Sequence, residues 1–236
     1  MKKTPQNTQK LVFIDIETTG LNENENEIVE FSAIITNDDA SEVLDKINLT
    51  IKPELIDNID PKALKVCHKS VDDLLANEYT MREAHKIICE KLEEHVDRRD
   101  RTDKLQFIAY NSEFDEKFVR ELFTKCEDKY FNALFWNPSI CMMKEIAFML
   151  RNDRNKIDSF KLESICYLLD IEFNKDKAHN SLYDIERTLE VFKKSLNLDT
   201  TKLKFKSDKK NPYKNLQKKL KNTIIDSHPK NVENIK

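Results

Sequence analysis

Asp15 and Glu17 lie two positions apart in Phe13-Ile14-Asp15-Ile16-Glu17-Thr18-Thr19-Gly20. On a strand, alternate side chains share a face, so both acids point one way and Ile14 and Ile16 the other. Charges at the end of an apolar strand need a partner or a cation. Carboxylate oxygens suit Mg²⁺ or Mn²⁺. The same pair also suits a half-exposed strand, as two solvated acids.

A second acid, Asp115, falls in Asn111-Ser112-Glu113-Phe114-Asp115-Glu116-Lys117-Phe118-Val119. An acid in the first turn of a helix is favoured by the helix dipole alone. Here an apolar run, Leu105–Tyr110, feeds straight into that helix, and open α/β sheets place ligands at strand-to-helix junctions. A third group, His179-Asn180-Ser181-Leu182-Tyr183-Asp184, sets an imidazole five residues before an acid. Five residues is about one and a half helical turns. The two share a face only if His179 precedes the regular helix. Taken alone, each of the three segments also has a plain structural explanation.

Several elements must position these groups. Leu11–Ile16 reads as a buried strand. Ile28–Thr36 and Val43–Ile51 follow as two more, and the short turns between them favour antiparallel pairing. Pro61 opens a helix. Thr80 and Glu83 form a capping box for another. Leu105–Tyr110 is a fourth strand, and Ser112 caps a helix to about Lys125. Ser139–Met143 is a fifth strand leading into a helix to Leu150. Ser159 caps a helix at Lys161–Leu169, and Ala178–Leu196 forms the last long helix, with Leu182, Ile185, Leu189 and Phe192 on one face. Strands first, then strand–helix alternation, imply an α/β fold with a mixed sheet.

Composition narrows the chemistry. The chain of 236 residues has one glycine, Gly20. Neither a P-loop nor a dinucleotide fingerprint can be built with one glycine. Any phosphate handling must use metal ions or side chains. Five cysteines stand apart, with no C-x-x-C and no His spaced to complete a zinc site. They fit free thiols in a reducing compartment. No apolar signal core precedes Leu11, and no run is long enough to span a membrane; the expected location is cytoplasmic. Residues 201–236 carry 11 Lys against three acids, although the whole chain is at −3. Such a block is a solvated tail or a nucleic-acid or partner-binding arm. The expected organisation is a loose N-terminus over 1–10, a domain over 11–197, and a basic tail over 198–236 in which Pro212 can start a short helix.

Taken together and in this order, the three segments resemble the motifs of the DEDDh 3′→5′ exonuclease family, the DnaQ-like group within the RNase T superfamily. Asp-x-Glu-Thr-Thr-Gly matches the first motif, Asn-x-x-Phe-Asp-x-x-Phe the second, and His-x-x-x-x-Asp the third. Ile51-Lys52-Pro53, Ile59-Asp60-Pro61 and His68 resemble the stretch between the first two. The likeness covers roughly residues 10–196. One position departs: where the family commonly has Gly after the histidine matching His68, this chain has Lys69. That bears on the local backbone beside the site.

The resemblance implies an RNase H-like fold with a mixed five-stranded sheet flanked by helices, its first three strands antiparallel and the later strands parallel to the first. It implies two divalent metal ions, Mg²⁺ or Mn²⁺, and phosphodiester hydrolysis. Asp15, Glu17 and Asp184 would hold the ion that activates water. Asp15 would bridge to the second ion, and Asp115 would orient the cluster through a coordinated water. His179 would be the general base, a task that an imidazole suits. Backbone amides around Thr18 and Thr19, with Gly20, Leu21, His68, Asn111 and Phe114, would meet the terminal nucleotide. Leu21 and Phe114 equally suit core packing. The expected substrate is the 3′ end of single-stranded or frayed DNA, in proofreading or repair. RNA trimming is the alternative, and a non-catalytic interaction module the second. By the same resemblance, the tail would dock a DNA polymerase or another replication or repair protein, or touch nucleic acid.

Overall fold

The computed structural model describes residues 9–205. The loose N-terminus expected before residue 9, the helix expected at Pro212 and most of the basic tail lie outside the described residues. Five strands make one sheet in the order β3-β2-β1-β4-β5. β1 is Lys10–Thr18, β2 Ile28–Thr36, β3 Val43–Thr50, β4 Leu105–Ala109 and β5 Ile140–Cys141. β1, β2 and β3 are antiparallel neighbours, while β4 runs parallel to β1 and β5 parallel to β4. This is the expected mixed sheet.

Side-chain alternation splits each strand between two cores. Val12, Ile14, Ile16, Phe31, Ala33 and Ile35 join one apolar layer. Leu11, Phe13 and Ile34 join the other. The first layer is closed by α3 (Met81–Glu93), α4 (Ser112–Lys125) and α5 (Phe131–Leu134). The second is closed by α6 (Met142–Met149), α7 (Leu162–Leu168) and α8 (Ser181–Ser195). Two short helices, α1 (Pro61–Val66) and α2 (Val71–Leu75), lie between β3 and α3. With helices on both faces, all nine residues of β2 are buried.

Local chemistry sets most boundaries. Thr80 and Glu83 form the expected capping box of α3, and Ser70 with Asp73 forms a second one at α2. Three starts differ from expectation. Ser112 is the first residue of α4, not its cap; Asn111 holds the cap position, and Ser112 Oγ instead accepts from Ser139 Oγ at 3.1 Å. Ser159 Oγ accepts from the Lys161 amide at 3.1 Å, two residues ahead of the cap position, which Lys161 holds, and α7 begins at Leu162. α8 begins at Ser181, because the Asn180 side chain accepts from the Tyr183 amide and fixes the start there. β5 is also two residues, shorter than Ser139–Met143, because α6 begins at Met142.

The body stays packed beyond residue 197. Leu198, Leu203 and Phe205 lie against the second core, and the Lys204 amide donates to Leu168 O at 3.1 Å. Ala40, His68, Glu127, Asp170 and His179 adopt left-handed φ between 55° and 63°. These turns are made without glycine.

Phe13 is fully buried between β1 and α8, edge-on to Phe192 with centroids 5.2 Å apart. Phe13→Ala is expected to lower stability by about 3–5 kcal/mol, read by urea denaturation.

Candidate active site

β1 pairs with β4 only from Lys10 to Phe13. Past Phe13 that side of β1 is free, because β4 ends at Ala109 and the chain turns into α4. The free stretch carries Asp15 and Glu17 on the face of Leu11 and Phe13. The turn into α4 brings Asp115 to the same strand end, where its carboxylate meets the Ile16 amide. Asp115 is buried at 5% exposure. On the other side, α8 delivers Asp184 from its first turn.

His179 precedes that helix, at φ 63°. Asp184 Oδ2 accepts from the His179 amide at 3.0 Å, which folds the histidine back over the helix start. A ring nitrogen of His179 and carboxylate oxygens of Glu17 and Asp184 all lie within 4.8 Å of one another. The five residues Asp15, Glu17, Asp115, His179 and Asp184 line one cleft.

The electrostatics are adverse without a cation. Burial, followed by Asp115, Glu17, Asp184 and Glu30, holds the Asp15 carboxyl well above the usual range. Burial, Glu30, Asp184 and Asp115 push Glu17 up to about 8, against the pull of Lys69. Burial pushes Asp115 up to about 8 despite amide hydrogen bonds. Burial also raises Asp184, against the His179 amide. Asp184 Oδ1 is buried and has no hydrogen-bond partner. An unsatisfied buried anionic oxygen beside three other carboxylates fits a hard divalent cation.

Two other groups of metal-type ligands occur among the described residues, His85–Cys89–Asp128 and Asp45–Glu94–His95. Their carboxylates are already engaged. Asp128 accepts from Arg98 and the Tyr130 amide, and Asp45 from Lys91 and the Lys46 amide.

Thr18, Gly20, Leu21, Asn111 and Phe114 also line the cleft. Leu21 stands at its rim, 76% exposed, with its carbonyl accepting from Lys117 Nζ at 3.0 Å. Gly20 is required by close approach: a Cβ there would collide with the Asn26 side chain, whose Oδ1 accepts from the Asn22 amide at 3.0 Å. Thr19 and His68 are not among the cleft residues. Thr19 is buried and bonded instead to Glu27 and to the Asp60 amide. His68 is exposed in the turn after α1. The left-handed residue of that turn is His68, so Lys69 imposes no strain there. The Lys69 amide bonds Leu64 O at 3.0 Å.

Sequence reasoning did not place Asp60, Lys62, Ala63, Val66, Tyr110 and Leu162 at the site; with Ile16 they complete the cleft. It also missed Glu30. The available signal was an acid inside the apolar run Ile28–Thr36. Glu30 sits opposite Glu17 across the β1–β2 pairing.

A mixed sheet with helices on both faces and a carboxylate-floored cleft beyond the end of its central strand defines a hydrolase-type α/β domain. A family model described as exonuclease, RNase T, matches residues 12–192, and the chain belongs to that family. Ribonuclease T of Histophilus somni is 28% identical over 184 residues, covering 77% of this chain and 80% of that protein. The PolC-type DNA polymerase III of Ureaplasma parvum is 28% identical over 183 residues, 77% of this chain but 11% of the polymerase. E. coli exonuclease I, solved with a dT13 oligonucleotide, superposes with a TM-score of 0.65 at 19% identity, over 80% of this chain and 41% of that one. This last likeness speaks to the fold. The chain is a 3′→5′ exonuclease acting on nucleic acid.

The raised carboxyls carry a signed pH dependence. Their folded pKa values exceed the unfolded ones, so their contribution is full below the ordinary carboxylate range and is lost as pH rises, for Glu17 and Asp115 towards about 8. Calorimetry in a chelator should show the melting temperature falling across that window. Added Mn²⁺ should reverse the fall, and Asp15→Asn should flatten it.

Proposed function

We propose that this chain removes nucleoside monophosphates one at a time from the 3′ end of single-stranded or frayed DNA. The observation that supports this reading is one cleft with an acidic floor and an apolar rim. Asp15, Glu17, Asp115 and Asp184 stand at the floor; Leu21, Val66, Phe114 and Leu162 stand around it. The cleft encloses about 1160 Å³, its open mouth included, which is room for a terminal nucleotide. Bases stack on apolar and aromatic surfaces without regard to sequence, and an unpaired end exposes its bases.

The four carboxylates would hold two divalent ions, Mg²⁺ or Mn²⁺. Bound there, the ions supply Lewis acidity and charge neutralisation to the phosphodiester. His179 takes the proton of the attacking water, since its ring faces Glu17 and Asp184 from outside the helix. Asp184 fixes that ring by holding the His179 amide. Thr18 and Gly20 present polar groups to the terminal ribose, and Leu21 and Phe114 hold its base. A water–phosphorus bond forms, and the bond from phosphorus to the preceding 3′-oxygen breaks.

A second reading, RNA trimming, draws support from the ribonuclease T relative, 80% of whose length this chain matches. Discrimination rests on contacts to the 2′-hydroxyl. The described residues contain no helix long and apolar enough to cross a membrane. The five cysteines are free, which supports a reducing, cytoplasmic setting. We take residues 11–197 as the catalytic domain with 198–205 packed on it. The basic residues beyond would add ion pairs to phosphate or dock a polymerase.

Three measurements test this. His179→Ala should lower kcat by about 10²–10⁴-fold, while Asp15→Asn abolishes Mn²⁺-dependent digestion; equal digestion by wild type and Asp15→Asn would mean a non-catalytic module. Side-by-side digestion of labelled single-stranded DNA and RNA should show faster loss of DNA, and faster loss of RNA would replace the first reading with the second. Truncation after 205 should flatten the salt dependence of oligonucleotide binding.

A further inference from the structure

The catalytic histidine precedes α8, in a left-handed turn that no glycine eases. Such a turn keeps one geometry only if its surroundings fix it. Two anchors are present. One is the Asp184 carboxylate on the His179 amide, already described. The other is Glu30, on the middle strand of the antiparallel half.

Glu30 is buried at 5% exposure. Its Oε2 accepts from the Ser181 amide and the Ser181 hydroxyl, each at 3.1 Å, and from the Asn180 side-chain amide at 3.4 Å. Ser181 Oγ also lies 2.8 Å from Ser32 Oγ, on the same face of β2. Both residues that follow His179 are thus tied to one strand. The other oxygen, Oε1, takes the Lys69 ammonium, which reaches in from the turn after α1.

The arrangement solves a charge problem. Glu30 lies across the strand pair from Glu17, and a buried carboxylate there adds to an already negative site. A buried charge needs an opposite charge and full hydrogen bonding. Lys69 supplies the charge; Ser181 and Asn180 supply the donors. Lys69 also ties the α1 wall, which carries Lys62, Ala63 and Val66 into the cleft, to the histidine turn. We infer that Glu30 is a positioning residue for His179, and that Lys69 is the counter-charge that holds Glu30 in that role. The inference rests on the proposed action of His179 on the attacking water.

The test uses the full chain with Glu30→Gln, Lys69→Ala, Lys69→Arg and the double variant Glu30→Gln with Lys69→Ala. Loss of an outer partner that orients a catalytic group costs about 10–100-fold. Glu30→Gln and Lys69→Ala should each lower kcat on a DNA oligonucleotide by that factor, with KM changed by less than about twofold. Lys69→Arg should restore most of the kcat lost in Lys69→Ala. The double variant should be no worse than the weaker single one, since the two residues act as a unit. Amide exchange gives a readout that needs no activity: the Ser181 amide should exchange faster in Glu30→Gln and Lys69→Ala, while Val12 and Ile14 keep their protection. Wild-type kcat in Glu30→Gln, a loss confined to KM, losses that multiply in the double variant, or core amides opening along with Ser181 would each overturn the inference. His179→Ala separates the two levels. If it retains activity, the reading of His179 fails; if it is inactive while Glu30→Gln is not, only the positioning role fails.

Discussion

Mutual repulsion among carboxylates gathered at one strand end is the constraint around which this protein is built. Asp15, Glu17, Asp115 and Asp184 converge from β1, α4 and α8, and Glu30 stands behind them on β2. No apolar packing gain requires acids there. The fold tolerates them because amides at helix starts and strand ends hold Asp115, Asp184 and Glu30, and because the remaining oxygens, those of Asp15 and Glu17 among them, suit a divalent cation. The repulsion lowers the stability of the cation-free protein, and any cation that binds the folded site returns that stability by mass action.

The sheet topology makes that convergence geometrically simple. A parallel β4 shorter than β1 leaves the second half of β1 unpaired on one side. The vacated edge is where the α4 start and the α8 start both reach. The two cores on either face then fix those helices independently, through Phe118, Val119 and Leu122 on one side and Ile185, Leu189 and Val191 on the other. The site is therefore a junction between two packing layers and belongs to neither.

Much of this was legible in the sequence. The strand alternation of Asp15 and Glu17, the run from Leu105 into α4 and the Thr80 capping box are local patterns, and local patterns survive folding. The resemblance supplied the grouping that spacing alone left open. What stayed hidden was non-local. Ser112 reads as a cap, but Asn111 takes that place and Ser139 engages the hydroxyl. Leu198, Leu203 and Phe205 read as tail, yet an open apolar surface on the second core takes them up. Tyr110 and Leu162 reach the cleft from separate elements, and no spacing along the chain links them. Glu30 acquires its meaning only from its cross-strand neighbour Glu17 and from Ser181, both distant along the chain.

The scarcity of glycine has its own outcome. Among the described residues, five turns bend through left-handed φ on residues that carry a Cβ, a conformation disfavoured by roughly 1–2 kcal/mol per residue. The same side chains restrict the unfolded ensemble, which loses less freedom on folding than a glycine-rich chain does. The two effects oppose each other, so this polypeptide exchanges looseness in its denatured state for tension in its native bends. Two of these bends stand close to the acidic cleft: His179 lines it, and His68 follows α1, whose residues line it.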